Sequence, residues 1–524
     1  MALLAIIDAQ QQRIQTLEES VQKLRDELAV LKGQKPKPTI APSLLEQPVK
    51  KPRAEGEKRP GSAKLSKKAS PRVAQEVKVP FPDAPAGSLS KGYEPYDVQE
   101  LVIQGKLTRY LRERIQLPDG STRLAPLPAE VVPGSHFGPT LISYILNQHH
   151  QCNVTQPLLL EQLLELGVDI STGQLSNILT ENKEAFHEEK ADLLRAGLEV
   201  ASYIGVDDTG ARHDGKNGYC TAIGNDLFAY FESTDSKSRV NFLHVLRGKC
   251  QGYAINDVTI GYWQLQKMPE EWLEKLSAGP ACFVGVAAWQ THVLELGLTA
   301  ERLVKMATEG ALLGTIIELG ASPDLVILSD GAPQFDLLKH ASCWVHIERP
   351  LAKLVPYNEA HRLAIEQIRQ QIWEFYQELK AYRVQPDPSA KATLAARFDG
   401  LTEQQTIYPT SIGQVLKAMR DHKADLLRVL ARPEVPLHNN ASESDIRGYV
   451  KTRKISGSTR STEGRRCRDT FTSLKKTCRK LGVSFWAFLK DRIGRTGNLP
   501  PLADLIRQRA AAGSSPAPQP AVAT

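Results

Sequence analysis

At 524 residues, with 41% hydrophobic and 24% charged side chains, the chain has the composition of an ordinary globular protein, long enough for roughly three domains. Its net charge is only +7, but the positive residues concentrate in two places, which is what attracts a polyanion. Seven scattered cysteines with no Cys-x-x-Cys pair argue against a disulfide framework or structural zinc and for a reducing compartment, and the longest strongly apolar run, 280–289, is too short for a bilayer. Asp8 interrupts the N-terminal apolar residues, so neither a secretory leader nor a membrane partner is expected.

Residues 3–32 carry a heptad seam, with Ile7, Ile14, Val21 and Leu28 at one core position and Leu3, Gln10, Leu17, Leu24 and Leu31 at the other. β-branched residues at the first position with Leu at the second favour a parallel two-stranded coiled coil over 1–33, and hence a homodimer or higher oligomer. A single amphipathic helix packed on its own body is the alternative. Residues 34–92 are rich in Pro, Lys, Ser and Ala without periodicity and read as a disordered basic linker. In the small region 93–132, strands are expected at 98–104 and 108–115, followed by a Pro118-Asp119-Gly120 turn.

Region 133–198 reads as helical, beginning with segments at 138–148 and 155–166. Within it, 158–182 has the form of a helix-turn-helix: an apolar helix, a break at Gly167, and a second helix from Ser171 or Thr172. That motif would present Gln174, Ser176 and Asn177 to base edges, whereas a plain helical hairpin would not.

The run 200–209, VASYIGVDDT, is strand-like and ends on two carboxylates. Alternation sends Asp207 and Asp208 to opposite faces, so only one of them can serve a given site. They could equally begin the turn before Lys216-Asn217-Gly218. Segments 219–224 and 227–233 complete an antiparallel meander, 237–246 reads as a helix, and 248–321 supports no assignment. A second strand, 324–330, also terminates on a carboxylate, Asp330, with Gly331 and Pro333 behind it. The segment CWVHIERP, 343–350, is expected to be a short strand with Cys343 and His346 on opposite faces. Ile365, Ile368, Ile372, Phe375 and Leu379 form a helical apolar stripe.

A third acid, Glu443, stands three residues after Asn440, where it could close a capping box. It also opens a basic run of Arg447, Lys451, Arg453, Lys454 and Arg460, continued by Arg465, Arg466, Arg468, Lys475, Lys476, Arg479 and Lys480. Hard divalent cations need only a few carboxylates and keep several waters. Two such ions about 3.5 to 4 Å apart can activate a water or a 3′ hydroxyl and stabilise the leaving oxygen of a phosphodiester. Acids inside a basic surface therefore favour metal-dependent phosphoryl transfer on nucleic acid.

The segments VDDTG, LSDGAPQF, CWVHIERP, HNNASESDIR and FTSLKKTCRKLGVSFWAFLKDRI, in this order over roughly residues 133 to 494, resemble those of DDE transposases of the insertion sequence 66 type. The resemblance implies an α/β fold whose RNase H-like catalytic core, 199–460, carries a helical insertion at about 351–432. A basic helical segment, 461–496, and a tail, 497–524, would follow. It implies an Asp207, Asp330, Glu443 triad binding Mg2+ or Mn2+, with His346 near the scissile phosphate. DNA contacts are expected from Arg447, Lys451, Arg453, Lys454, Gln174 and Asn177. The expected partners are double-stranded element ends and target DNA, with accessory proteins of the same element, at the nucleoid in bacterial cytoplasm. Two departures stand out: the paired N-terminal cysteines of the family are absent, and Ser444 replaces its Arg beside the third acid. A DNA-binding regulator of transposition that has lost catalysis, and more distantly a metal-dependent phosphatase, are the other readings.

Overall fold

The computed structural model describes residues 73–80, 91–128 and 134–513, with isolated positions between 13 and 132. Most of the linker 34–92 and much of the heptad seam lie outside the described residues. Those described within the seam, among them Ile14, Leu17, Val21 and Leu24, are helical, with these four apolar side chains exposed.

Two short antiparallel strands come first, β1 (Arg114–Gln116) and β2 (Thr122–Leu124), joined through the expected Pro118-Asp119-Gly120 turn. The strands expected at 98–104 and 108–115 are not formed beyond β1. Residues 91–113 run without a ladder partner among the described residues. Helices Pro139–His150, Gln156–Glu165 and Thr172–Thr180 then pack together, with Leu146, Leu159, Leu163, Leu175 and Leu179 buried. Gly167 adopts φ +75° at the break between the second and third helices, a conformation glycine takes without steric cost.

The centre is a five-stranded mixed sheet in the order β5-β4-β3-β8-β9. Strands β3 (Tyr203–Gly210), β4 (Tyr219–Gly224) and β5 (Ala229–Thr234) form the antiparallel meander; β8 (Val326–Ser329) and β9 (Lys339–Ser342) add in parallel. Val200 belongs not to β3 but to the end of helix Glu184–Val200, whose buried face continues to that point. The unassigned stretch 248–321 folds as a two-stranded ribbon, β6 (Gly252–Ala254) and β7 (Cys282–Val284), with helices Asp257–Leu265, Glu270–Ser277, Val286–Glu295 and Glu301–Glu318. Its three tryptophans divide by burial: Trp263 and Trp289 are in the core, and Trp272 packs against it.

CWVHIERP is a helix, Trp344–Lys353, not a strand. Trp344, Val345, Glu348 and Leu351 are buried with helical spacing against a second, helical core. The true strand is the polar-looking β9 just before it, which is buried except at Lys339. The stripe of Ile365, Ile368, Ile372, Phe375 and Leu379 is buried in helix Glu359–Val384 of that same core. Residues assigned to the tail include helix Leu502–Ala511, which packs on Glu184–Val200.

The long helix Thr462–Lys480 is fastened across β5. Asp469 accepts from the Ser233 amide at 2.8 Å and hydroxyl at 3.0 Å, while Lys190 meets Glu232 at 2.5 Å. His187, 3% exposed, bonds Thr470 Oγ1 through Nδ1 at 2.7 Å. Burial, with Arg466 and Lys190 nearby, holds its pKa down to about 4. Since the unfolded imidazole titrates near 6.5, the folded protein binds fewer protons between these values, and stability present above about pH 6.5 is lost as pH falls towards 4. His187→Gln is therefore expected to flatten the fall in melting temperature from about pH 7 to pH 5. Parallel melting curves for the two proteins over that window would refute the assignment.

Candidate active site

Strand β3 is packed by Ile204 and Val206, both fully buried, and delivers Asp207 at the point where the strand leaves the core. Parallel pairing with β8 sets Gly205 opposite Leu328, so two residues further along each chain Asp207 comes level with Asp330. Residues in register on adjacent strands share a face; Asp207 lies within β3 just past the end of its pairing with β8, and Asp330 directly follows the last residue of β8. Gly331 then turns the chain away with φ +93°, and the Ala332 amide donates to Asp330 Oδ1 at 3.1 Å.

Helix Asn440–Ser456 brings the third acid. It crosses β3 at Gly205, where a Cβ would stand 2.3 Å from Ser442 Oγ and 2.7 Å from Asn439 Oδ1. Asn439, not the expected Asn440, occupies the N-cap position, and it makes no side-chain cap. Its Nδ2 donates instead to the Val206 carbonyl at 2.7 Å, tying the helix to the residue before Asp207. Glu443 is thus freed from the capping-box role: Oε2 accepts from Arg447 at 3.0 Å, and Oε1 is buried without a hydrogen-bond partner. His346 Nε2 and Arg349 flank that oxygen at 3.6 and 4.0 Å.

Burial, and then the charges of Asp330, Glu443 and Asp208, push the Asp207 carboxyl up to about 6 against the pull of the Asp208 amide. Asp330 and Glu443 therefore both act on Asp207. His346 is held below its ordinary pKa by burial and by Arg349, against the opposing pull of Glu443 and Asp330, which leaves the imidazole neutral at physiological pH. Asp208 is used elsewhere. It accepts from Thr221 Oγ1 at 2.5 Å and Gln334 Nε2 at 3.1 Å, linking the meander to the turn behind Asp330.

The donor chemistry suits a hard divalent cation: carboxylate oxygens, one of them buried without a partner, and a carboxyl raised by burial and then by its acidic neighbours. Among the described residues no three His, Cys, Asp or Glu side chains converge closely enough to hold a metal ion as they stand. Magnesium does not require such convergence, because it keeps several waters and uses one or two carboxylates directly.

Arg447, Lys451 and Lys454 are exposed along one helix, with Arg453 half-buried over the end of β3. The basic surface expected to continue through 465–480 is largely turned inward. Lys476 and Lys480 hold Asp445 at 3.1 and 2.9 Å, Lys475 donates to the His150 carbonyl, and burial holds its ammonium down to about 8. Arg465 pairs with Asp235, and Arg468 donates to Gly457 and Ser456. Gln174 closes a capping box with Ser171, while Asn177 stays exposed. The sequence reading missed Arg349, because only a helix places it three residues from His346 on the same side.

Ionised Asp207 costs stability above about pH 6, so without divalent cations Asp207→Asn is expected to raise the melting temperature by a few degrees near pH 8 and to change it little near pH 4. An equal shift at both values would show that the carboxylate is not strained.

A family model described as the IS66 transposase family matches residues 134–275 and 331–466, more than half of the chain. The uncharacterized protein y4jO of Sinorhizobium fredii is 40% identical over 322 residues, which is 61% of this chain and 100% of that protein.

Proposed function

The chain belongs to the IS66 transposase family, and from that premise we propose that it cleaves element ends and transfers DNA strands with Asp207, Asp330 and Glu443 as an Asp-Asp-Glu triad. The observation that carries this reading is the register of β3 and β8, which brings Asp207 level with Asp330 beside the half-buried Glu443. The order β5-β4-β3-β8-β9, an antiparallel meander extended by two parallel strands, supports an RNase H-like core.

Magnesium or manganese held by the triad would supply a nucleophile at neutral pH and stabilise the leaving oxygen. The protein's own groups do the rest. Asp207 is fixed by the Asp208 amide, which donates to Oδ1 at 2.8 Å. Neutral His346 can donate to, or accept a proton from, an oxygen of the phosphate approaching Glu443. Arg349 and Arg447 offset the charge of that phosphate, and Lys451 and Lys454 carry the backbone along the helix. In cleavage a water oxygen attacks phosphorus and the 3′ oxygen departs with a proton; in transfer the freed 3′ hydroxyl gives up its proton and attacks a target phosphorus, and the target's own 3′ oxygen leaves and takes up a proton. A stripe of exposed bases on one helix suits a duplex better than a small phosphate ester. The exposed Ile14, Leu17, Val21 and Leu24 support pairing with a second copy through the N-terminal coil.

One observation favours the regulator reading, that no three ligating side chains converge among the described residues. Magnesium-dependent nicking of a duplex carrying the element end decides between the two. Asp207→Asn, Asp330→Asn and Glu443→Gln are each expected to lose at least about a thousandfold in rate with folding retained, while Asp208→Asn keeps substantial activity. A parent protein that binds the duplex and never nicks it would establish the regulator instead.

Lys451→Glu and Arg453→Glu are expected to weaken binding to all sequences alike and to reduce the salt slope by about one per lost phosphate contact. Weakening confined to one sequence would assign these side chains to base reading.

A further inference from the structure

Residues 93–113 form an arm with no helix or ladder, and among the described residues several of its large apolar side chains have almost no cover: Leu101 and Val102 are 80% exposed, and Leu107 and Leu111 91%. One edge of the arm is spoken for. The Gly105 amide donates to the Leu166 carbonyl at 2.9 Å, and the Glu113 carbonyl accepts from the Ala125 amide at 2.9 Å. In an extended chain the polar groups of alternate residues point to opposite edges, so with Gly105 and Glu113 bonded, an extended arm would present its even-numbered residues on the other edge, for which no partner occurs among the described residues. A long, apolar, open edge is a template for another strand.

We propose that this edge pairs with the same arm of a second copy of the chain, as an antiparallel ladder whose two-fold axis passes at Ile103. The charges fit no other occupant as well. The first half of the arm carries Glu94, Asp97 and Glu100, and the second half carries Lys106, Arg109 and Arg112, with Glu113 at its end facing the uncharged Tyr93 in the register below. Centring the pairing on Ile103 sets Glu94 against Arg112, Asp97 against Arg109, and Glu100 against Lys106, so every pair is of opposite sign. The same register places Tyr96 beside Tyr110 and Leu101 over Gly105, and its hydrogen-bonded pairs are the even-numbered residues, which are those left open. Each copy contributes the identical patch, as an isologous contact requires. This contact is separate from the N-terminal coil and does not depend on the proposed catalysis. DNA is the poorer occupant, because four acids lie in the arm and its exposed leucines have no phosphate to meet.

The test is oxidative cross-linking of the full-length protein. Residues paired across the axis bring their Cα atoms to about 4.5 Å, within disulfide range. Ile103→Cys is expected to give a covalent dimer above the level set by the exposed native Cys152 and Cys282, whereas Leu107→Cys, about 26 Å from its own copy, is not. Asp97→Arg added to Ile103→Cys should abolish the dimer, and further addition of Arg109→Asp should restore it. Restoration by Arg112→Asp instead would place the two-fold axis between Gln104 and Gly105 and overturn the proposed register, and an arm folded back on itself as a hairpin within one chain would give no dimer at Ile103→Cys at all. Equal cross-linking at both cysteines also overturns the proposal, as does an Ile103→Cys protein that stays monomeric and is protected only by added DNA.

Discussion

Everything at the carboxylate cluster depends on how closely helix Asn440–Ser456 can approach β3. The helix begins against Gly205, where any Cβ would collide with Ser442 and Asn439. It is held there by the bond from Asn439 to the Val206 carbonyl. A β-strand interior normally disfavours glycine, so its presence marks a close approach by another part of the chain. Without that approach Glu443 would sit too far out to influence Asp207.

The remaining framework serves the same placement from both ends of the helix. Before it, the Leu437 carbonyl accepts from the Trp344 amide at 3.0 Å, joining the Glu443 helix to the helix bearing His346 and Arg349. Trp344 is itself buried among Phe375, Tyr376 and Phe398, so the helical insertion acts as the rear wall of the site. Beyond Glu443, Asp445 is gripped by Lys476 and Lys480, and Tyr449 stacks on Phe231 with centroids 5.8 Å apart. Helix Thr462–Lys480 thus works mainly as a brace between the meander and the acidic helix, although its composition reads as a polyanion-binding surface.

Charge is accordingly divided into two uses. Lysines that emerge toward the sheet are consumed by carboxylates and carbonyls, and burial disfavours the charged form of Lys475. Those on the outer side of Asn440–Ser456 remain exposed and follow the cluster in a line. The acids carry a matching tension, since the Asp207 carboxyl is raised by burial and by its neighbours. Structure and electrostatics together make this a place where added positive charge is favourable.

The sequence alone determined those features that repeat along a single element. The apolar runs ending on Asp207 and Asp330, the meander at 219–234, the stripe from Ile365 to Leu379 and the second helix after Ser171 were all legible from local periodicity and caps. It could not separate a short helix from a short strand at 343–350, because eight residues buried on one side satisfy either period. Nor could it tell Asn439 from Asn440, or a spent lysine from a free one. Those distinctions rest on partners far away in the chain, Val206 for Asn439 and Asp445 for Lys476 and Lys480. Tertiary structure decided them, since hydrogen-bond and charge partners are chosen by which surfaces meet and not by neighbours in sequence.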